Sequence, residues 1–168
     1  FYVKNDKNSS METNVRNVNP GFTNLSDNTK NNCMLCTTAY DLRRRGYDVN
    51  AERISSGLQY TDVKRYYPDA EVRRVTGATT TAELNQKTKE ALISQGEGAR
   101  GNLMVQWQGG AGGHSMAYEV HNGEVKIYDA QSGEVHETEE IIAYTMAVSY
   151  ARLDNVEPDW DRIKEAVR

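Results

Sequence analysis

In the run Cys33-Met34-Leu35-Cys36-Thr37-Thr38-Ala39-Tyr40-Asp41-Leu42, apolar groups fall at 35, 36, 39 and 42. That spacing predicts a helix with one apolar stripe. Asn32 is placed to cap it and Gly46 to stop it. Residues 1–32 have a different character. They are rich in Asn, Ser, Thr, Asp and Lys, and Val15, Val18, Phe22 and Leu25 are their sparse apolar anchors. Such a stretch reads as an extended, loop-rich lead-in or linker, assigned to residues 1–29, ahead of a domain over 30–168.

Further along, residues 52–69 carry no firm period and end at Pro68, and 72–75 fit a short strand. Residues 81–94 predict a second helix, capped by Thr81 and broken by Gly96, Gly98 and Gly101. A strand over 103–107 leads into Gly109-Gly110-Ala111-Gly112-Gly113, a loop that only small residues tolerate. Strands over 115–121 and 124–130 flank Asn122-Gly123, a strong hairpin signal. A helix over 137–144, a strand over 146–153 and a closing helix over 158–167 complete the pattern. Helices followed by hairpin-linked strands predict an α+β fold.

The two-residue turn fixes a register in which 121 faces 124. One face then carries Met116, Tyr118 and Val120 opposite Asp129, Ile127 and Val125, and its apolar character makes it the core side. The other carries Ser115, Ala117, Glu119 and His121 opposite Ala130, Tyr128, Lys126 and Glu124. It is mixed and includes the opposite-charge pair Glu119–Lys126. His114 lies diagonal to Asp129, on the core side. Diagonal neighbours are roughly 7–8 Å apart at the backbone, close enough for two side chains to meet. His121, beside the turn, and His136, in a polar stretch, read as solvated.

Composition narrows the chemistry. The 168 residues suit one domain with a real core. A net charge of −4 gives no reason to expect nucleic acid or an anionic membrane as partner. Arg43-Arg44-Arg45, at a helix end, complements the helix dipole rather than gripping phosphate. No apolar stretch approaches the roughly 20 residues of a membrane span, and no signal peptide is seen. The chain opens at Phe1, which suggests a piece of a longer polypeptide whose delivery signal lies elsewhere. Two cysteines, Cys33 and Cys36, are too few for a disulfide framework.

A thiol at a helix N-terminus beside an imidazolium ionises more readily than a free one. Cys33 therefore reads as a nucleophile, His114 as its base and then the acid for the leaving group, and Asp129 as the group that orients the imidazole. The glycines at 109, 110, 112 and 113 would let a substrate approach His114. Cys36 lies on the apolar stripe and fits a small buried hydrophobe. A redox Cys-x-x-Cys would need a flanking βαβ pattern that is missing, and structural zinc would need more ligands. No cofactor and no metal are expected.

These residues also carry a resemblance. Asn32-Cys33-x-x-Cys36, with a helix ending Leu42-Arg43-Arg44-Arg45-Gly46-Tyr47-Asp48-Val49, resembles the papain-fold toxins, a family that includes glutamine deamidases. So do Gly98-Ala99-Arg100-Gly101 before a strand, and Gly113-His114-Ser115-Met116-Ala117 leading to Asp129-Ala130-Gln131-Ser132-Gly133. The resemblance covers about residues 30–135. It implies a papain-like cysteine hydrolase fold, with the N-terminal helix carrying the nucleophile against an antiparallel sheet. It implies a Cys33–His114–Asp129 triad supported by Gln131 and by Asn32, and deamidation of a protein glutamine. Papain-like peptidases use the second Cys of such a pair, which leaves Cys36 open as the nucleophile. A peptidase of the same fold and a non-catalytic papain-like binding module are the alternatives. The implied setting is a toxin or effector module of a secreted or phage-associated protein, delivered to act in a reducing cytoplasm. Its partners would be a protein substrate and a cognate immunity protein.

Overall fold

The computed structural model describes residues 10–20, 32–53 and 62–168. The expected anchors Phe22 and Leu25 lie outside them. The elements run α1 (Met11–Asn17), α2 (Cys33–Arg44), β1 (Val72–Arg74), α3 (Thr81–Ile93), β2 (Arg100–Trp107), β3 (Gly113–His121), β4 (Glu124–Asp129), β5 (Glu134–Glu137), α4 (Thr138–Ile142) and β6 (Thr145–Arg152). The strands form one sheet in the order β1-β6-β2-β3-β4-β5, every neighbouring pair antiparallel. The architecture is α+β, with α2 laid on the sheet.

The hairpin forms in the expected register, with His121 opposite Glu124 and Ala117 opposite Tyr128. Asn122 (φ 54°) and Gly123 (φ 74°) both take the left-handed conformation that a type I′ turn demands.

Both faces of the sheet are buried, where the alternation predicted one core face and one mixed face. Met116, Tyr118, Val120, Val125 and Ile127 pack with Leu84 and Leu92 of α3 and Ile141 and Ile142 of α4. Ala117 and Tyr128, from the mixed face, pack with α1 and with Leu35, Cys36, Ala39 and Tyr40 of α2. Polar residues there are tolerated because each is satisfied. Ser115 Oγ donates to Asn102 Oδ1 at 2.7 Å. Glu119, 1% exposed, accepts a forked bond from Arg44 at 2.9 and 3.1 Å, and another from the Tyr40 hydroxyl. Glu119 therefore pairs with Arg44, and its cross-strand neighbour Lys126 turns to Glu137.

The three arginines at the end of α2 do structural work that dipole compensation does not describe. Arg43 reaches Asn14 and Asp48, Arg44 reaches Glu119, and Arg45 reaches Asp41 and the carbonyls of Leu153 and Val156. They fasten α2 to α1, to β3 and to the C-terminal segment. His121 and His136, expected to be solvated, pair with Glu97 and Glu119 and with Glu134 and Glu140 respectively.

Several boundaries move. The expected extended lead-in contains α1, a helix capped by Ser10 that buries Val15 and sets Val18 in the core just beyond its end. Thr80, rather than Thr81, caps α3 by accepting from the Glu83 amide. The closing helix over 158–167 reduces to a single 3₁₀ turn, Ile163–Glu165.

Strand β2 starts at Arg100, so Gly101 sits inside a strand rather than breaking a helix. A Cβ at Gly101 would lie 2.0 Å from the Ala151 carbonyl oxygen of β6 and 2.8 Å from the Tyr118 hydroxyl. No rotamer relieves a clash with backbone. Gly101→Ala is expected to destabilise the fold by about 3 kcal/mol or more, read as a lowered urea midpoint. An unchanged midpoint would refute this close packing.

Candidate active site

Cys33 is the first residue of α2, where the amides of the first turn have no acceptor within the helix. The Cys33 thiol is half-buried and Cys36 is fully buried. Burial pushes the Cys33 thiol up. Hydrogen bonding to the His114 imidazole, its positive charge, and the backbone N–H groups of Ser115 and Met34 outweigh burial and bring the thiol below its ordinary value. For Cys36 the balance is opposite. Burial pushes it well above the ordinary thiol value, and the negative charges of Cys33 and Asp129 add to that.

His114 lies near the start of β3, and its Nε2 is 3.0 Å from Asp129 Oδ2, at the end of β4. The contact predicted by the hairpin register is therefore made. With Nε2 taken by the carboxylate, Nδ1 is the ring nitrogen left to serve the thiol. Burial alone would depress His114, but its bonds to Asp129 and Cys33 outweigh it and hold the imidazolium up at about 10. Burial likewise opposes ionisation of Asp129. The His114 bond and charge, with the amides of Ser132 and Gln131, overcome it and keep the carboxyl below its usual range.

Asp129 is fixed at both oxygens. While Oδ2 meets His114, Oδ1 accepts from the Gln131 amide at 3.1 Å and the Ser132 amide at 3.4 Å. The turn closes with the Gly133 amide donating to the Asp129 carbonyl at 2.7 Å.

Asn32 precedes Cys33, but its side chain makes no cap bond. Instead it is 1% exposed and its Nδ2 donates to the Glu52 carbonyl at 3.0 Å. Its Oδ1 receives Gln131 Nε2 at 3.5 Å. Asn32 and Gln131 thus touch each other, one beside the thiol and one beside the carboxylate.

Two neighbours of the site were not foreseen. The Trp107 ring stacks alongside the His114 imidazole, with centroids 6.3 Å apart and planes 24° apart. Strand pairing sets Val105 of β2 opposite His114, which makes Trp107 its diagonal neighbour. That pairing crosses the glycine loop, which is no two-residue turn, so the register was not readable. The second is Asn19, whose side chain donates to the Gln131 carbonyl at 3.0 Å. The loop itself is open. Gly109, Gly110 and Gly112 have positive φ, and a Cβ at any of them would touch nothing. Among the described residues, no group of three His, Cys, Asp or Glu side chains is arranged to hold a metal ion. No described helix is long and apolar enough to cross a membrane.

A family model described as papain fold toxin 1, glutamine deamidase, matches residues 31–134. Neither curated proteins nor solved structures give a match.

Proposed function

Since the chain belongs to the papain fold toxin 1, glutamine deamidase family, we propose that it is a thiol hydrolase that converts a glutamine side chain of a target protein to glutamate, using Cys33, His114 and Asp129. The observation that carries this reading is the His114 imidazole held at 3.0 Å on a doubly anchored carboxylate, with Cys33 at a helix N-terminus as the thiol whose pKa, pushed up by burial, that imidazole lowers.

The thiolate of Cys33 attacks the carboxamide carbon, and the developing oxyanion is stabilised by the N-terminus of α2, whose first-turn amides have no acceptor within the helix. Protonated His114 gives its proton to the departing nitrogen, and ammonia leaves as the thioester forms. His114, now neutral, takes a proton from water as the oxygen bonds to the thioester carbon. The C–S bond then breaks, the Cys33 thiolate is restored beside protonated His114, and the released carboxylic acid loses its proton to solvent as glutamate. Asp129 holds the ring in place and favours its charged form. Cys33 is preferred to Cys36 as nucleophile because its thiol is partly exposed and its pKa is lowered, while burial raises that of Cys36.

The family also suits delivery into a target cell. We place the chain as the toxin module of a larger secreted or phage-associated protein. A cognate immunity protein is its partner, and a reducing cytoplasm, which keeps both cysteines as thiols, is its site of action.

Mass spectrometry of a target protein after incubation tests the reaction. Deamidation appears as the mass step from glutamine to glutamate in an intact chain, and proteolysis by the same thiol would appear as a cut chain. The pH dependence is also fixed in sign. Activity needs thiolate and imidazolium together. It therefore rises as pH passes the lowered pKa of Cys33 and falls as pH passes that of His114, at about 10. A rate that climbs only through the ordinary thiol range, with no alkaline fall, would contradict the ion pair.

A further inference from the structure

We propose that Asn19 is a positioning residue for the His114–Asp129 pair, tying the turn that anchors the carboxylate to the residue that precedes Cys33. The inference rests on the catalytic reading above and extends it to a residue outside the matched span of 31–134.

Asn19 lies just past α1 and is 5% exposed. Its Nδ2 donates to the Gln131 carbonyl at 3.0 Å, and its Oδ1 accepts from Asn32 Nδ2 at 3.4 Å. Both ends of one side chain are therefore used, one on the β4–β5 turn and one on the N-terminus of α2. The Gln131 peptide that Asn19 grips is continuous with the two amides that hold Asp129 Oδ1. Asn32 and Gln131 close the circuit between themselves at 3.5 Å. A second contact presses the same segment on the same turn: a Cβ at Gly133 would come within 3.4 Å of the Arg16 Cα. The segment 10–20 thus acts as a strap across the back of the site. An amide suits the post because it donates and accepts without adding charge near the pair.

Among the described residues, Cys33 and Cys36 of α2, His114 of β3 and Asp129 of β4 are the titratable groups that act on one another. Arg16 against the Gly133 turn, Glu52, whose carbonyl Asn32 meets, and Glu134, opposite Asp129 on β5, are the charged residues beside the circuit. If the strap sets the Asp129 geometry, loosening it weakens the hold on the imidazolium and so raises the pKa of Cys33.

The test is the rate of Cys33 alkylation by iodoacetamide against pH, in a Cys36→Ala background so that only one thiol reports. Three variants are compared, with thermal unfolding followed in parallel: Asn19→Ala, Asp129→Asn and Val18→Ala. Val18 is buried beside Asn19, and its truncation costs packing without touching the amide circuit. Asn19→Ala is expected to slow alkylation at pH 7 about tenfold and to raise the midpoint by about one unit. Val18→Ala should lower the unfolding temperature and leave the profile as in the parent. If Asn19→Ala keeps the parent profile while Asp129→Asn displaces it, the proposal is overturned. If Asp129→Asn also keeps the parent profile, the catalytic reading itself fails. Asn19→Ser, too short to span to Gln131, serves where the alanine variant does not fold, and a parent profile there overturns the proposal equally.

Discussion

Cys33→Ala is expected to abolish deamidation, lowering the rate by about 10⁴-fold or more, whereas Cys36→Ala keeps most of it. The two residues are one helical turn apart, so chain position alone hardly separates them. Their surroundings do. Burial pushes the Cys33 thiol up, but His114 and the backbone N–H groups of Ser115 and Met34 outweigh it and bring the thiol below its ordinary value, and the residue is partly open to solvent. Cys36 is 0% exposed among the apolar residues that join α2 to the sheet. Ionising it would bury a second negative charge near Cys33 and Asp129. Its sulfur contributes packing, and its truncation should cost about 1 kcal/mol of stability. Turnover of both variants on one target, with unfolding curves to show each is folded, checks the pair. Activity that survives in Cys33→Ala and vanishes in folded Cys36→Ala would reverse the assignment.

Glu119→Ala is expected to lower stability at pH 7 by about 3 kcal/mol, the lower end for breaking a buried ion pair because a quarter of the Arg44 side chain remains exposed. Glu119 is the acceptor for Arg44, Tyr40 and His121 at once. Without it the Tyr40 hydroxyl and the Arg44 guanidinium lose their partner where α2 meets β3. Burial opposes ionisation of Glu119, but its partners outweigh burial and hold it below the ordinary carboxylate value. A depressed carboxyl pKa contributes stability that is present above its unfolded value, about 4.3, and is lost as pH falls through the folded value. His121 is raised and adds the opposite term: its contribution is full below its unfolded value, about 6.5, and fades as pH rises through the folded one. The gap between parent and variant should therefore narrow below about pH 4. Urea titrations at neutral and acid pH measure it, and a gap that is absent at neutral pH would show the pair to be dispensable.

Much of the site was legible because it is local. An Asn-Gly turn permits one register, and that register fixes which residues are diagonal neighbours, so His114 and Asp129 could be paired before any fold was known. The apolar stripe from Leu35 to Leu42 likewise marked α2, and its start put Cys33 where backbone amides are unpaired. Other readings stopped where non-local partners decide. Glu119 looked like a solvent-face residue paired to Lys126 because alternation describes a sheet covered on one side. Only packing of α2 on the second face makes it the buried anchor of Arg44. Asn32 was read as a cap from its place in the chain, but Glu52 and Gln131 claim its side chain. Gly101 looked like a helix breaker because the strand that crowds it, β6, follows far along the chain.

The sequence by itself determined the family, the α+β class, the hairpin and the placing of His114 against Asp129, all of which follow from short-range periodicity, one turn type and a short set of motifs. Tertiary structure decided the burial of both sheet faces, the different environments of Cys33 and Cys36, and the strap from Asn19 to Gln131. Those depend on side chains far apart in the chain that meet only after α1 and α2 have docked on the sheet. No local pattern encodes such meetings, because burial and hydrogen-bond partnership are properties of the packed whole.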